Sequence, residues 1–164
     1  MKRFKVFLFA ALSLMLAACN TDEPNTGVQT CIVDDIEYSY YLTDTEGVIK
    51  NSFSKGEIVR VHLDLRNKGL SILMAFVNDI GDCYDSKGNL QEILSANANT
   101  DTVPVFRMIN PGDIVYFKQS YKLSVSSGLY HYQKPYVMYY VKGSEDTKDI
   151  KHISIPLTLD FKIK

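Results

Sequence analysis

Glu57-Ile58-Val59-Arg60-Val61-His62-Leu63-Asp64-Leu65-Arg66 alternates cleanly from Val59 onward. Val59, Val61, Leu63 and Leu65 take one parity; Arg60, His62, Asp64 and Arg66 take the other. Successive side chains of a β-strand point to opposite faces, so a period of two places one face in a core and the other in water. Each inward aliphatic contributes about 1.5–3 kcal/mol when fully buried. Ser54-Lys55-Gly56 before this strand and Asn67-Lys68-Gly69 after it are turn-forming. The stretch therefore predicts a half-buried strand bounded at both ends.

The same grammar recurs on either side. Upstream, Thr30 to Leu42 is rich in Ile and Tyr and predicts a first strand, with Asp44-Thr45-Glu46-Gly47 as a turn. Downstream, Leu70 to Val77 is apolar except for Ser71 and predicts a strand covered on both sides; Asp82 to Tyr84 extends it or forms the next. Asp85-Ser86-Lys87-Gly88-Asn89 predicts a hairpin turn and Leu90 to Leu94 a short return strand. Ser95 to Thr102 reads as a loop, and Val103 to Ile109 as a strand with Pro104 near its start. After Asn110-Pro111-Gly112-Asp113, the residues Val115, Phe117, Tyr121 and Leu123 share one side. Leu129 to Gln133 and Tyr136 to Val141 are aromatic strands broken at Lys134-Pro135. His152 to Lys164 alternates again, with Ile153, Ile155, Leu157, Leu159, Phe161 and Ile163 inward and Pro156 marking an edge or a bulge. No stretch sustains a 3.6-residue period and no internal repeat is visible. Seven to nine short strands with Gly/Pro turns predict an all-β fold: an antiparallel two-sheet immunoglobulin-like β-sandwich over residues 30–164, with a jelly roll or barrel as the alternative.

The first 29 residues have a different character. Lys2, Arg3 and Lys5 precede an apolar run from Val6 to Ala18, shorter than the roughly 20 residues a spanning helix needs. A charged start, a short apolar centre and small residues form a secretory signal, here residues 1–18. Leu16-Ala17-Ala18-Cys19 resembles the lipobox of bacterial lipoproteins. That resemblance implies cleavage before Cys19, diacylglyceryl transfer to its sulfur and acylation of the new amino terminus. Each buried methylene is worth about 0.8 kcal/mol and one chain anchors only marginally, so two or three on Cys19 hold a water-soluble body to the membrane permanently. Residues 19–29 then form a lipidated, polar, flexible tether. Asp22 and Glu23 resemble the export tag of surface-exposed lipoproteins of some Gram-negative bacteria, which implies an outer-membrane location facing outward.

Removal of residues 1–18 leaves 146 of the 164 residues, enough for one domain with a proper core. The chain has 18 Lys and Arg against 19 Asp and Glu; the signal takes three bases and no acids, so 15 against 19 leaves a net charge of −4. No basic run is present, which argues against a nucleic-acid partner. An exported compartment permits disulfides, so Cys31 and Cys83 are either bridged or two separately buried thiols. A bridge would stabilise by roughly 4 kcal/mol on the chain-entropy model.

Gly56-Glu57, the alternating strand to Asn67, Tyr84-Asp85 with Gly88, and Pro111-Gly112-Asp113 before an aromatic strand resemble the BsuPI-type proteinase inhibitor domain across roughly residues 54–140. The resemblance implies an immunoglobulin-like sandwich and, as the second functional reading, an envelope protease inhibitor.

Chemistry-bearing patterns are absent. His62, His131 and His152 share no metal-ligand spacing. Asp79, Asp82 and Asp85 fail the calcium-loop pattern at Lys87. There is no G-x-S-x-G and no phosphate-binding glycine loop. No cofactor and no enzymatic activity is expected. Tyr130, Tyr132, Tyr136, Tyr139 and Tyr140 crowd one hairpin-like region. Their outward members would form an aromatic surface for a protein or glycan ligand, unless they serve only as core and cross-strand residues. The expected function is non-catalytic binding by a lipid-anchored envelope module.

Overall fold

In a computed structural model of the chain, residues 27–91, 94–95, 105–133, 135–143 and 149–164 are described. The signal segment, Cys19 and most of the tether lie outside them, as do Pro104 and most of the loop expected at 95–102. The described elements are all strands: β1 (Gln29–Val33), β2 (Ile36–Thr43), β3 (Ser52–Phe53), β4 (Ile58–Asn67), β5 (Leu73–Asp79), β6 (Asp82–Asp85), β7 (Leu94–Ser95), β8 (Val105–Ile109), β9 (Ile114–Lys122), β10 (Gly128–Gln133), β11 (Tyr136–Val141), β12 (Lys151–Ser154) and β13 (Thr158–Ile163).

The opening stretch is β4, and it is the spine of one sheet ordered β1-β2-β4-β9-β7. Val59, Val61, Leu63 and Leu65 are all fully buried, as the alternation requires. They face the second layer, which consists of two half-sheets ordered β3-β13-β10-β6 and β12-β11-β5-β8. These halves are made by the same three lengths of chain. Residues 73–85, 128–141 and 151–163 each run through both, and each breaks midway: at Ile80-Gly81, before Pro135 and at Pro156. Proline cannot donate to a ladder, and the Ile155 N–H instead reaches the Pro135 carbonyl at 2.9 Å. The expected single second sheet is thus split across a bend where two of its three strands carry proline. The expected strand from His152 to Lys164 is accordingly two, β12 and β13, although its inward residues from Ile155 to Ile163 are buried as read.

Strand order assigns the fold. β2-β4-β9-β7 occupy the A-B-E-D positions of an immunoglobulin sandwich, and the three bent strands occupy C-F-G. β3 pairs parallel with β13, so the chain crosses between layers after β2. Tyr130, two residues into β10, donates its hydroxyl to the Ser126 carbonyl at 2.7 Å. That is the tyrosine corner found at the start of strand F in this class of sandwich. The aromatic core continues from it: Phe161 stacks at 5.7 Å from Tyr130 and at 5.4 Å from Tyr132, which lies 5.7 Å from Tyr121.

One strand reading is corrected. Thr30 to Leu42 is a hairpin, β1 and β2, with Asp34 and Asp35 at positive φ of 50° and 60°. Two successive positive-φ residues are what a type I′ turn demands, and Asp tolerates that region better than most residues. The signal was present as Asp34-Asp35 inside a β-rich run.

Candidate binding surface

The outward face of the half-sheet β12-β11-β5-β8 is apolar. Register places His152, Met138, Phe76 and Phe106 in one row across all four strands, and Tyr140, Met74 and Met108 in the next. The Phe76 and Phe106 rings pack against each other at a tilt of 35°, centroids 4.8 Å apart. Phe106 remains 59% exposed and Met108 49%. Met74, Phe76, Met138 and Tyr140 are half-buried by one another. Tyr136 extends the face, its hydroxyl hydrogen-bonded to Nδ1 of His152. Phe, Met and Tyr supply contact area and adaptable shape, the composition found at the cores of protein interfaces.

This face absorbs only part of the expected aromatic surface. Tyr130, Tyr132 and Tyr139 are buried core residues, and only Tyr136 and Tyr140 point outward. The reason is parity: 130 and 132 on β10 and 137 and 139 on β11 face the core, and the break before Pro135 changes which parity is inward. The sequence does not single out Phe76, Phe106 or the methionines, because β5 and β11 are apolar on both faces and β8 carries its one charge, Arg107, on the parity of buried Ala75. The expected two-sided strand from Leu70 to Val77 is corrected: β5 begins at Leu73, Leu70 is 97% exposed, and only Leu73, Ala75 and Val77 are buried, whereas Met74 and Phe76 belong to the outer patch.

A polar cluster occupies the outer face of the other sheet. His62 and Asp64 on β4 flank Tyr41 of β2: the Tyr41 and His62 rings stack at 4.7 Å, and the Tyr41 hydroxyl donates to Asp64 Oδ2 at 3.1 Å. Thr43 Oγ1 lies 2.9 Å from His62 Nε2. Asp64 Oδ1 is buried with no hydrogen-bond partner among the described residues. Burial raises the Asp64 carboxyl to about 6, against the opposing Tyr41 hydrogen bond. Burial, helped by Lys118 and Arg60, lowers His62 to about 4. Burial thus disfavours the charged form of both groups, so His62 and Asp64 each resist ionisation on this face.

At one end of the sandwich Asp34, in the β1–β2 turn, accepts hydrogen bonds from Tyr139 at 2.7 Å and from Lys151 at 2.9 Å. These two hold its carboxyl below the usual range, Tyr139 contributing most. The clasp ties the hairpin of the first layer to β11 and β12 of the second. Beside it is a cleft of about 210 Å³ between Asp35, Asn67, Leu70 and Tyr140, smaller than the roughly 300–1,000 Å³ of small-molecule sites. Among the described residues no group of three His, Cys, Asp or Glu could hold a metal. Asp85 instead caps its own turn, accepting from the Lys87 and Asn89 amides at 2.9 Å each.

Cys31 and Cys83 are not bridged. Cys31 lies on the outer strand of one layer opposite Tyr38, and Cys83 is buried in the other opposite Tyr132. Only Cys83 is a buried thiol, pushed up to about 12 by that burial; Cys31 is half-buried.

No family model matches the chain, and no curated protein matches it. Solved structures do. A structural-genomics target, SoR45, is 13% identical with a TM-score of 0.48, covering 79% of this chain and 88% of its own. The C-terminal domain of wzt is 11% identical with a TM-score of 0.47, covering 88% of this chain and 80% of its own. The PapD-like domain 7 of human CEP192 is 12% identical with a TM-score of 0.43, covering 86% of this chain and 96% of its own. The assignment of the sandwich rests on strand order rather than on these likenesses.

Proposed function

We propose that this chain is a lipid-anchored protein of the bacterial cell envelope, carried on the outer membrane through Cys19, whose immunoglobulin-like domain binds a protein partner without catalysis. The observation that carries the binding reading is the Phe76–Phe106–Met108–Met138 face. An exposed apolar patch across four strands costs solubility and marks an interaction site. Its side chains offer few hydrogen-bonding groups, which suits a protein partner better than a glycan. The anchor rests on the Leu16-Ala17-Ala18-Cys19 box and the charged, apolar run before it.

Two measurements separate these parts. A photo-crosslinking residue at position 106, in intact cells, is expected to trap a discrete protein, and one at Lys122 on the opposite layer is expected to trap none. Loss of the adduct in Met74→Lys/Met138→Lys would tie it to the face; no adduct, or the same adducts from both positions, would refute the surface. Cys19→Ala is expected to release the protein from the membrane fraction. Unchanged retention overturns the anchor and leaves the surface untouched.

A further inference from the structure

A sheet edge is a row of unpaired backbone donors and acceptors, and folded proteins blunt it with charge, proline, bulges or brevity. Most edges of this fold are blunted so. β3 and β7 are two residues long. β6 carries Asp82 and Asp85, β8 carries Arg107, and β12 carries Lys151. Among the described edge strands β1 is the exception. Gln29-Thr30-Cys31-Ile32-Val33 has five residues, no charge, no proline, no glycine and an unbroken register with β2. Ile32, on its outward face, is 63% exposed. The Asp34 clasp fixes the adjoining turn to the other layer, so this edge is held in place.

The turn sets which groups the edge presents. A two-residue hairpin closes with Ile36 N–H donating to the Val33 carbonyl, and antiparallel ladders alternate hydrogen-bonded with non-hydrogen-bonded pairs. Val33, Cys31 and Gln29 therefore bond to β2, opposite Ile36, Tyr38 and Tyr40. The N–H and C=O of Thr30 and Ile32 point to the open edge.

We propose that β1 pairs antiparallel with β1 of a second copy of this chain, about a two-fold axis at Cys31. The five-stranded sheet then continues into its copy. The two-fold register selects a second copy as occupant. Thr30 of each copy exchanges both backbone hydrogen bonds with Ile32 of the other, so every outward group is satisfied. Gln29 comes opposite Val33. The acids of the turn, Asp34 and Asp35, come opposite Val28 and Gly27, so no like charges meet. Cys31 faces Cys31 as a non-hydrogen-bonded pair, for which Cα atoms lie about 4.5 Å apart. That falls within the roughly 4.4–6.8 Å window of a disulfide. The thiol is a reporter of the pairing, which does not depend on it, and the pairing requires neither the lipid anchor nor the Phe76–Phe106 face.

The test uses the full chain in cells treated with diamide, which takes up the two protons and two electrons of two thiols as its hydrazine. The expected product is a dimer on non-reducing gels whose linked peptide joins Cys31 to Cys31, absent in Cys31→Ser. Thr30→Pro removes an outward N–H that the monomer ladder does not use, hence two hydrogen bonds per dimer, and is expected to weaken association by about tenfold or more. Ile32→Lys places a charge on the edge and serves should Thr30→Pro fail to fold. No Cys31–Cys31 link in the wild-type chain, a Cys31 adduct with a different protein in its place, or a link undiminished in the folded edge variants would overturn the proposal.

Discussion

Gly81 marks the bend that divides the second layer, and replacing it by alanine tests why the layer is split. Its φ is +117°, and a Cβ built there meets the Tyr40 hydroxyl at 2.5 Å and the Gln133 carbonyl oxygen at 2.9 Å. The Tyr40 hydroxyl is held where it is by a buried 2.6 Å hydrogen bond to the Ile80 carbonyl. Three costs follow from Gly81→Ala. A non-glycine residue at such a φ costs about 1–3 kcal/mol. Moving the Tyr40 hydroxyl loses a buried hydrogen bond worth about 1 kcal/mol. The Gln133 carbonyl belongs to the backbone of β10 and yields only by local distortion, so we expect a total of about 3–4 kcal/mol. For a domain of this size that lowers Tm by about 10–15 °C. Gly88→Ala is the control: its φ is +82° but nothing lies within 4 Å of its Cβ, leaving the backbone strain alone. The assay is urea unfolding of both variants and of Tyr40→Phe with and without Gly81→Ala. Removing the hydroxyl removes the nearest obstacle, so in the Tyr40→Phe background Gly81→Ala is expected to cost about 1–2 kcal/mol less than alone. Equal costs for Gly81→Ala and Gly88→Ala, or strict additivity with Tyr40→Phe, would refute the close-approach account.

Three further outcomes are expected. Tyr130→Phe deletes the 2.7 Å bond to Ser126 while leaving the Phe161 stack, and should cost about 1 kcal/mol in chemical denaturation; a neutral result would remove the tyrosine corner as a stabilising device. Asp64, raised to about 6 from 3.8, binds its proton earlier in the folded state, so it adds stability as pH falls from about 6 toward 3.8; His62, lowered to about 4 from 6.5, charges earlier in the unfolded state, so it removes stability as pH falls from 6.5 toward 4. The two slopes oppose, and Asp64→Asn should make stability fall more steeply between pH 6.5 and 4, which a pH series of unfolding curves will show or deny. With the chain reduced, iodoacetamide should label half-exposed Cys31 well before Cys83, whose buried thiol is pushed up to about 12; equal labelling rates in the native state would contradict that burial.

Alternation made the first sheet legible. From Val59 to Leu65 the aliphatic residues face the core and the polar ones the outer face, so parity alone assigns each. The same rule failed where both faces of a strand are apolar. In Leu73–Asp79 nothing local distinguishes Ala75, which is buried, from Phe76, which belongs to the outer patch; the larger ring faces outward because Val137 and Tyr139 of β11 already set which side is core. Prolines 135 and 156 were readable as breaks, but that they fall at one level, and so bend the layer as a unit, depends on a register between strands that no short window holds. The tyrosines left two readings open for the same reason. Five in eleven residues suggest a surface, yet a chain without tryptophan uses Tyr130, Tyr132 and Tyr139 for its core and spends the hydroxyls of Tyr130 and Tyr139 on a corner and on a clasp. Aromatic density in a strand pair therefore identifies where two layers are pinned together, and the surface that remains for a partner is read from the residues of opposite parity.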